Sequence, residues 1–475
     1  MLSPVVALHH ASSIGPGLLA LALVGCFDDP PSVMESDDAS GTGTSMGGTT
    51  AGPTTTPPAS TTQVATTDDE TGPTTTTGSG DTTTGPEDTG STSETGPECD
   101  ADDGLPDERC APGTPFCVEG SCVPCSGGGD CGALDPNNPV CGADDICRPC
   151  EAHAECPDDA GCHLFEGTCL PADSVYYVDP DGMCGPGNAT PMMPACSLMQ
   201  AFDAIGPRTE ATIRMTENVY LEGVGIGAGR VVAMIAEGQT TIFANDDQAA
   251  VINQGTLYLD TIDVQNFAVF GTGIESDGDL WLDESMVRNN ETNLLSVSGR
   301  VVLRRSRVLD SPGIGMLLQG DQPVRLLNSI VANNGEGGSA GGIVTTGPAP
   351  LDILYSTIVE NSGNSGGAID CGPGSATVRN SIIASWVFAD AIDCGGATSV
   401  TYSVVSDAQF DGDPTNVPLG DLAALNINVN YEIAAGSVAT DVAQWQAGDP
   451  PTDIGGAPRP AMDGTPDDAG ADRAD

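Results

Sequence analysis

Seven short stretches of this chain repeat one arrangement of apolar and polar positions. Each has an aliphatic residue, a Ser three places on, and a Val or Ile two further. They read Leu259-Ile262-Val264 (with Ile in the Ser place), Leu282-Ser285-Val287, Leu303-Ser306-Val308, Leu326-Ser329-Val331, Ile353-Ser356-Ile358, Val378-Ser381-Ile383 and Val400-Ser403-Val405. Successive last members lie 23, 21, 23, 27, 25 and 22 residues apart. A near-constant period in the twenties marks a solenoid, in which no repeat buries a core alone and each coil stacks on the next. The Ser and the aliphatic residue after it are two apart, so a strand places both on one face. The frame's first residue ends the previous strand, across a bend.

Between the frames a second strand set recurs, at Ala250-Val251-Ile252, Gly273-Ile274, Gly315-Met316-Leu317, Gly342-Ile343-Val344, Ala368-Ile369-Asp370 and Ala391-Ile392-Asp393. Asn or Asp closes most frames: Asn266, Asn289 and Asn290, Asp310, Asn333 and Asn334, Asn361, Asp407. Such side chains bond their own backbone and tolerate left-handed geometry, so they are expected at a repeated corner. The pattern predicts an all-β fold, a right-handed parallel β-helix over 174–407. Buried hydroxyls need partners. The inward Ser column is therefore read as an internal ladder and not as a source of nucleophiles; no His lies near it in the chain, all four preceding residue 164.

The period changes at the start of this domain. Leu198, Ala201, Phe202 and Ile205 share one helical face, and Ser197 and Gln200 have capping-box spacing. A short helix here would plug the open end of the solenoid, with Cys184 and Cys196 stapling the segment that carries it. Cys371 and Cys394 both follow Ala-Ile-Asp and are 23 residues apart, one coil. In-register neighbours in a parallel sheet lie about 4.8 Å apart, inside the span a disulfide tolerates, so these two are expected to join adjacent coils. Residues 408–475 read as a capping segment and tail. They are expected to lie along the outward apolar stripe of Ile330, Ile382 and Val404, which would otherwise be exposed.

Upstream, residues 99–170 hold twelve cysteines in three sets of four, beginning at Cys99, Cys125 and Cys150. Modules with so few large apolar residues need cross-links. Zinc is the competing reading, since Cys-x-x-Cys pairs stand near His153 and His163. Within each module three disulfide pairings are open. Residues 27–98 are rich in Thr, Gly, Ser and Pro, with 13 acidic residues and no basic one. They read as a disordered linker reaching roughly 45–50 Å. Leu18 to Val24 is a short apolar run ending at Leu23-Val24-Gly25-Cys26, with His9 and His10 in place of the usual Lys or Arg ahead of it. The tetrad resembles the bacterial lipobox. That resemblance implies a signal peptide over 1–26, export, and a lipid on Cys26 as the sole membrane contact. The other 16 of the 17 cysteines then pair evenly.

Charge narrows the partners. The chain has 67 acidic residues against 14 basic ones, all Arg, for a net charge of −53. Such a surface repels nucleic acid and anionic lipid. No cofactor is expected; calcium is the alternative, bridging acidic sugars to the acidic surface. The outward positions of consecutive coils carry Asp260, Asp263, Asp283, Glu284, Arg288, Arg304, Arg305 and Arg307. Of these, Asp260, Asp283, Glu284, Arg304, Arg305 and Arg307 are the candidate glycan-binding residues. The competing expectation is cross-strand ion pairing, because Asp283 and Arg304, and likewise Glu284 and Arg305, hold the same frame position one coil apart. No catalytic or metal-binding residue stands out.

The segments Tyr431 to Ser437 and Asp453-Ile-Gly-Gly-Ala-Pro-Arg459-Pro460, with Asp467-Asp468-Ala469-Gly470-Ala471-Asp472, are similar to the close of bacterial β-helix surface proteins of the choice-of-anchor Q type. With the opening Tyr177-Val178-Asp179 and the Ser-x-Val coils, the resemblance covers about residues 175–472. It implies a pectate-lyase-like fold on an exported protein. The cysteine spacing of the modules resembles the Dickkopf-type cysteine-rich domain, which implies recognition. The function expected is a lipid-anchored envelope protein that binds extracellular polysaccharide or a surface protein without catalysis. The alternative is a polysaccharide lyase or glycoside hydrolase acting from the outer face of the coils.

Overall fold

Each coil of the structure, a computed structural model, contains three short parallel strands. They make three faces, which meet at a bend, a corner and a turn. The first face runs from Glu210–Met215 through Asp279–Asp283, Val301–Arg304, Val324–Leu327, Leu351–Leu354 and Ala376–Arg379 to Thr398–Thr401. The second includes Met286–Arg288, Arg307–Leu309, Ile330–Ala332, Thr357–Asn361, Ile382–Ser385 and Val404–Val405. The third is an eight-stranded sheet that begins at Val224–Ile226 and ends at Ile392–Cys394. It contains the expected second strand set together with Val224–Ile226 and Thr292–Ser296, which the lettering does not mark. The residues described are 116–118, 121–123, 125, 131–132, 135–144, 146–184, 189–245, 247–268, 271–335, 341–363, 367–385 and 390–472, all within the unit Gly90–Asp475. The signal peptide, Cys26, the linker, Cys99 and Cys110 lie outside them.

The repeated frame sets the register. Leu259, Leu282, Leu303, Leu326, Ile353, Val378 and Val400 stack one on the next. So do Val264, Val287, Val308, Val331, Ile358, Ile383 and Val405. All are buried in one continuous core. Between the two columns sits the Ser column. Each Ser Oγ accepts the backbone N–H of the Ser one coil earlier, at 3.1–3.3 Å, from Ser285 to Ser403. Ile262 donates to Ser285 in the same way, and Asn416 Oδ1 ends the series by accepting from Ser403. Each hydroxyl then donates to the carbonyl two residues before it, as Ser306 does to Arg304 at 2.9 Å.

The corner differs from the expectation. Asn289, Asp310 and Asn333 are left-handed, but in the next coil the left-handed residue is Glu360 and not Asn361. Asn290, Asn334 and Asn361 turn inward and are buried. There Asn334 takes the N–H of Ser311 and gives its own to Asn361, both at 3.1 Å, forming a second ladder. A larger left-handed column lies at the bend: Thr261, Glu284, Arg305, Asn328, Tyr355, Asn380 and Tyr402, each just before the Ser position.

Both ends are closed. The helix Leu198–Ile205 buries Leu198, Ala201 and Ile205 in the main core. Ser197 Oγ caps it by accepting from Gln200 N–H, and Gln200 returns a bond to Cys196 N–H at 3.0 Å. Cys184 and Cys196 are bonded ahead of it, and Cys371 is bonded to Cys394 across adjacent coils, with Cα atoms 4.5 Å apart. At the far end Val417–Pro418 adds a last parallel strand. Beyond it the tail covers the second face: Ile330, Ile382 and Val404 are buried against Leu425, Ile433, Ala443 and Ala469. No helix among the described residues is long and apolar enough to cross a membrane.

Candidate functional site

The third cysteine module is docked on the outside of the first face. The two modules whose four cysteines are joined among the described residues pair first with third and second with fourth: Cys125–Cys141 and Cys131–Cys147, then Cys150–Cys162 and Cys156–Cys169. Among the described residues, the sulfurs close enough to share a metal belong to cysteines joined in these bridges, so their thiolates are taken. His153 and His163 serve the docking. Distance along the chain hid this, for both histidines lie over coils far downstream, on the outer side of the wall from the Ser column. His163 Nδ1 is 2.7 Å from the hydroxyl of the fully buried Tyr258. Burial raises that phenol and lowers the imidazole, so both stay neutral at this contact. Phe165 packs edge-on against Trp281, with the Arg300 guanidinium 4.1 Å from its centroid. His153 accepts the Cys162 N–H at Nδ1, which leaves Nε2 as the protonated nitrogen. Burial pushes its pKa down to about 4, against the pull of Asp283.

The module stops partway along the face. The tail comes over the same face further on, where Asp449 pairs with Arg379. Between them a groove of about 590 Å³ stays open over three coils. Its floor is Arg304, Arg305, Arg325, Leu327 and Leu354; Glu151 and Glu155 stand on one wall, Asp449, Pro450 and Pro451 on the other. Among the six candidates, Arg304 and Arg305 line this groove. Asp283 lies beneath them, buried, and receives both: Arg304 at 2.5 Å and Arg305 at 3.1 Å. Arg305 also reaches Glu284 at 3.0 Å, and Arg304 donates to the Glu151 carbonyl at 3.0 Å. Asp260 is one coil back, in register with Asp283 and away from the groove. Burial and the Asp283 charge push its pKa up to about 6.

Arg307 is separated from the others. The bend carries it onto the second face, where it faces Glu432 of the tail at 3.5 Å and lines a cavity of about 420 Å³ with Arg288 and Tyr431. Arg288 is itself held by Asp263 at 2.7 Å. The groove's two walls, the module and the tail loop 448–452, had no signal in the sequence, because nothing in their own patterning says which face they cover.

Two of the three groove carboxylates are engaged, Glu155 and Asp449. Burial would raise Glu155, but the Arg148 guanidinium at 2.6 Å and the N–H groups of Glu151 and Ala152 outweigh it and hold it below the usual range. Asp449 takes Arg379 and the Gln446 N–H. This arrangement offers fixed donors and acceptors beside aliphatic and proline surface.

No family model matches the chain, and no curated protein matches it. Among solved structures it is similar to the pectin methylesterase from Aspergillus niger in deglycosylated form, at 13% identity over 52% of this chain and 91% of that one, with a TM-score of 0.33. At that score the likeness carries no argument, and the parallel β-helix is established by the strand registers themselves.

Proposed function

We propose that this chain is an exported, envelope-bound β-helix protein that binds extracellular glycan in the groove of the first face, without turning it over. In this reading Cys26 carries the lipid and residues 27–98 hold the folded part away from the membrane. One observation supports it above the rest: the groove is a concave strip of open coil surface between two appended walls, and each of its three arginines already has a carboxylate partner. Three arginines and three carboxylates line it in a chain of net charge −53. Paired guanidinium and carboxylate groups keep free donors and lone pairs for hydroxyls, while Leu327, Leu354 and the two prolines offer flat apolar surface.

The alternative reading, a polysaccharide hydrolase or lyase, is favoured by Asp260 alone, whose acidity suits a general acid. It lies beneath the module's end of the face, and its neighbour Asp283 is tied to two arginines. The deciding experiment incubates the full-length protein with a polysaccharide panel, with and without calcium. We expect retardation in affinity electrophoresis and no product. New reducing ends or unsaturated-uronate absorbance would establish an enzyme instead.

A further inference from the structure

We propose, resting on the glycan reading, that the groove and the second-face cavity form one binding path, and that its ligand is an uncharged polysaccharide long enough to cross the bend at Arg305. The two spaces meet on a single coil. Arg304 and Arg305 line the first, Arg307 lines the second, and Ser306 is buried between them. At about 3.3 Å per residue, Arg305 and Arg307 are separated by only about 7 Å of chain. The tail borders both spaces, with 448–452 beside the first and 429–432 beside the second. At the second, Val429 is 93% exposed, and Tyr431 is held at a left-handed φ of 63°.

Charge selects the ligand class. The second cavity is lined by two arginines and two carboxylates, so it is formally neutral like the groove. Along the path the guanidinium groups already have carboxylate partners: Asp263 for Arg288, Asp283 for Arg304, Glu284 for Arg305, Glu432 for Arg307 and Asp352 for Arg325. An acidic sugar would have to displace one of these partners within an acidic chain. A hydroxyl needs only an unused N–H or lone pair.

The test titrates the intact protein with length series of neutral gluco-, manno-, xylo- and galacto-oligosaccharides and with an oligogalacturonate series, by calorimetry. For at least one neutral series, affinity should rise about tenfold or more once the chain outgrows one cavity, because the second contact becomes intramolecular. Arg307→Gln, and Val429→Asp at the exposed lip, should abolish that rise. Affinity that stays flat with length, variants that weaken short and long chains equally, or preferred binding of oligogalacturonate would each overturn the continuous neutral path while leaving glycan binding standing. Failure of every series to bind would overturn the glycan reading and this inference together.

Discussion

The Ser column and the residues just before it are adjacent in the chain but differ in how far sequence reveals them. The Ser positions repeat because one small hydroxyl suits the job: it accepts an N–H from the coil before and donates to a carbonyl two residues back. The left-handed residues at the bend repeat in conformation only. Thr, Glu, Arg, Asn and Tyr all occupy that place, so no lettering betrays it. The corner is more legible: Asn289, Asp310 and Asn333 bend the chain as expected, while Asn290, Asn334 and Asn361 are buried beside the residue that does. Replacing Ser329 by Ala should strand the N–H of Ser306, which is 3.3 Å from its Oγ. An unsatisfied buried donor costs about 1–3 kcal/mol, and a denaturant midpoint shift of that size without a change in slope is the expected result. The charged candidates could be named from the sequence as residues, but their grouping was not readable. Arg307 differs from Arg305 by two positions and ends on another face, because the bend falls between them.

At the level of elements, the solenoid strands were legible because each has to match its neighbours, whereas the docking of the third module was not. The module's face is specified by Tyr258, Trp281 and Thr212 on distant coils, which no local pattern links to His163, Phe165 or Gly161. This contact also carries opposing acid responses. His153 is depressed from 6.5 to about 4, so its folded form resists protonation; the stability it allows is complete above pH 6.5 and is lost as pH falls toward 4. Asp260 is raised from 3.8 to about 6, so its contribution runs the other way, increasing as pH falls from 6 to 3.8. The two nearly offset each other in the native protein. Asp260→Asn removes one of them, and its melting temperature should then fall on acidification between pH 6.5 and 4 more steeply than that of the native chain. Equal slopes would show that Asp260 does not carry the acid response assigned to it.

Across the whole molecule the tail binds several coils into one unit. Arg459 is fully buried: it pairs with Asp467 at 2.9 Å, donates to Asn328 at 3.2 Å, and lies 3.9 Å over the Tyr355 ring on the next coil. Removing one partner of a buried pair costs roughly 3–5 kcal/mol. Arg459→Ala should therefore lower the unfolding free energy by about that much, and exposure of the second-face stripe should appear as binding of a hydrophobic dye before global unfolding. A loss below about 1 kcal/mol would place Arg459 among ordinary surface pairs. The left-handed bend has a wider consequence. The geometry recurs there whatever side chain occupies it, even at Thr261, where Ile262 and not a Ser follows, so the side chain in front is free to be almost anything. Inheritance can therefore rewrite what this protein displays along that edge, coil by coil, without renegotiating how the coils stack.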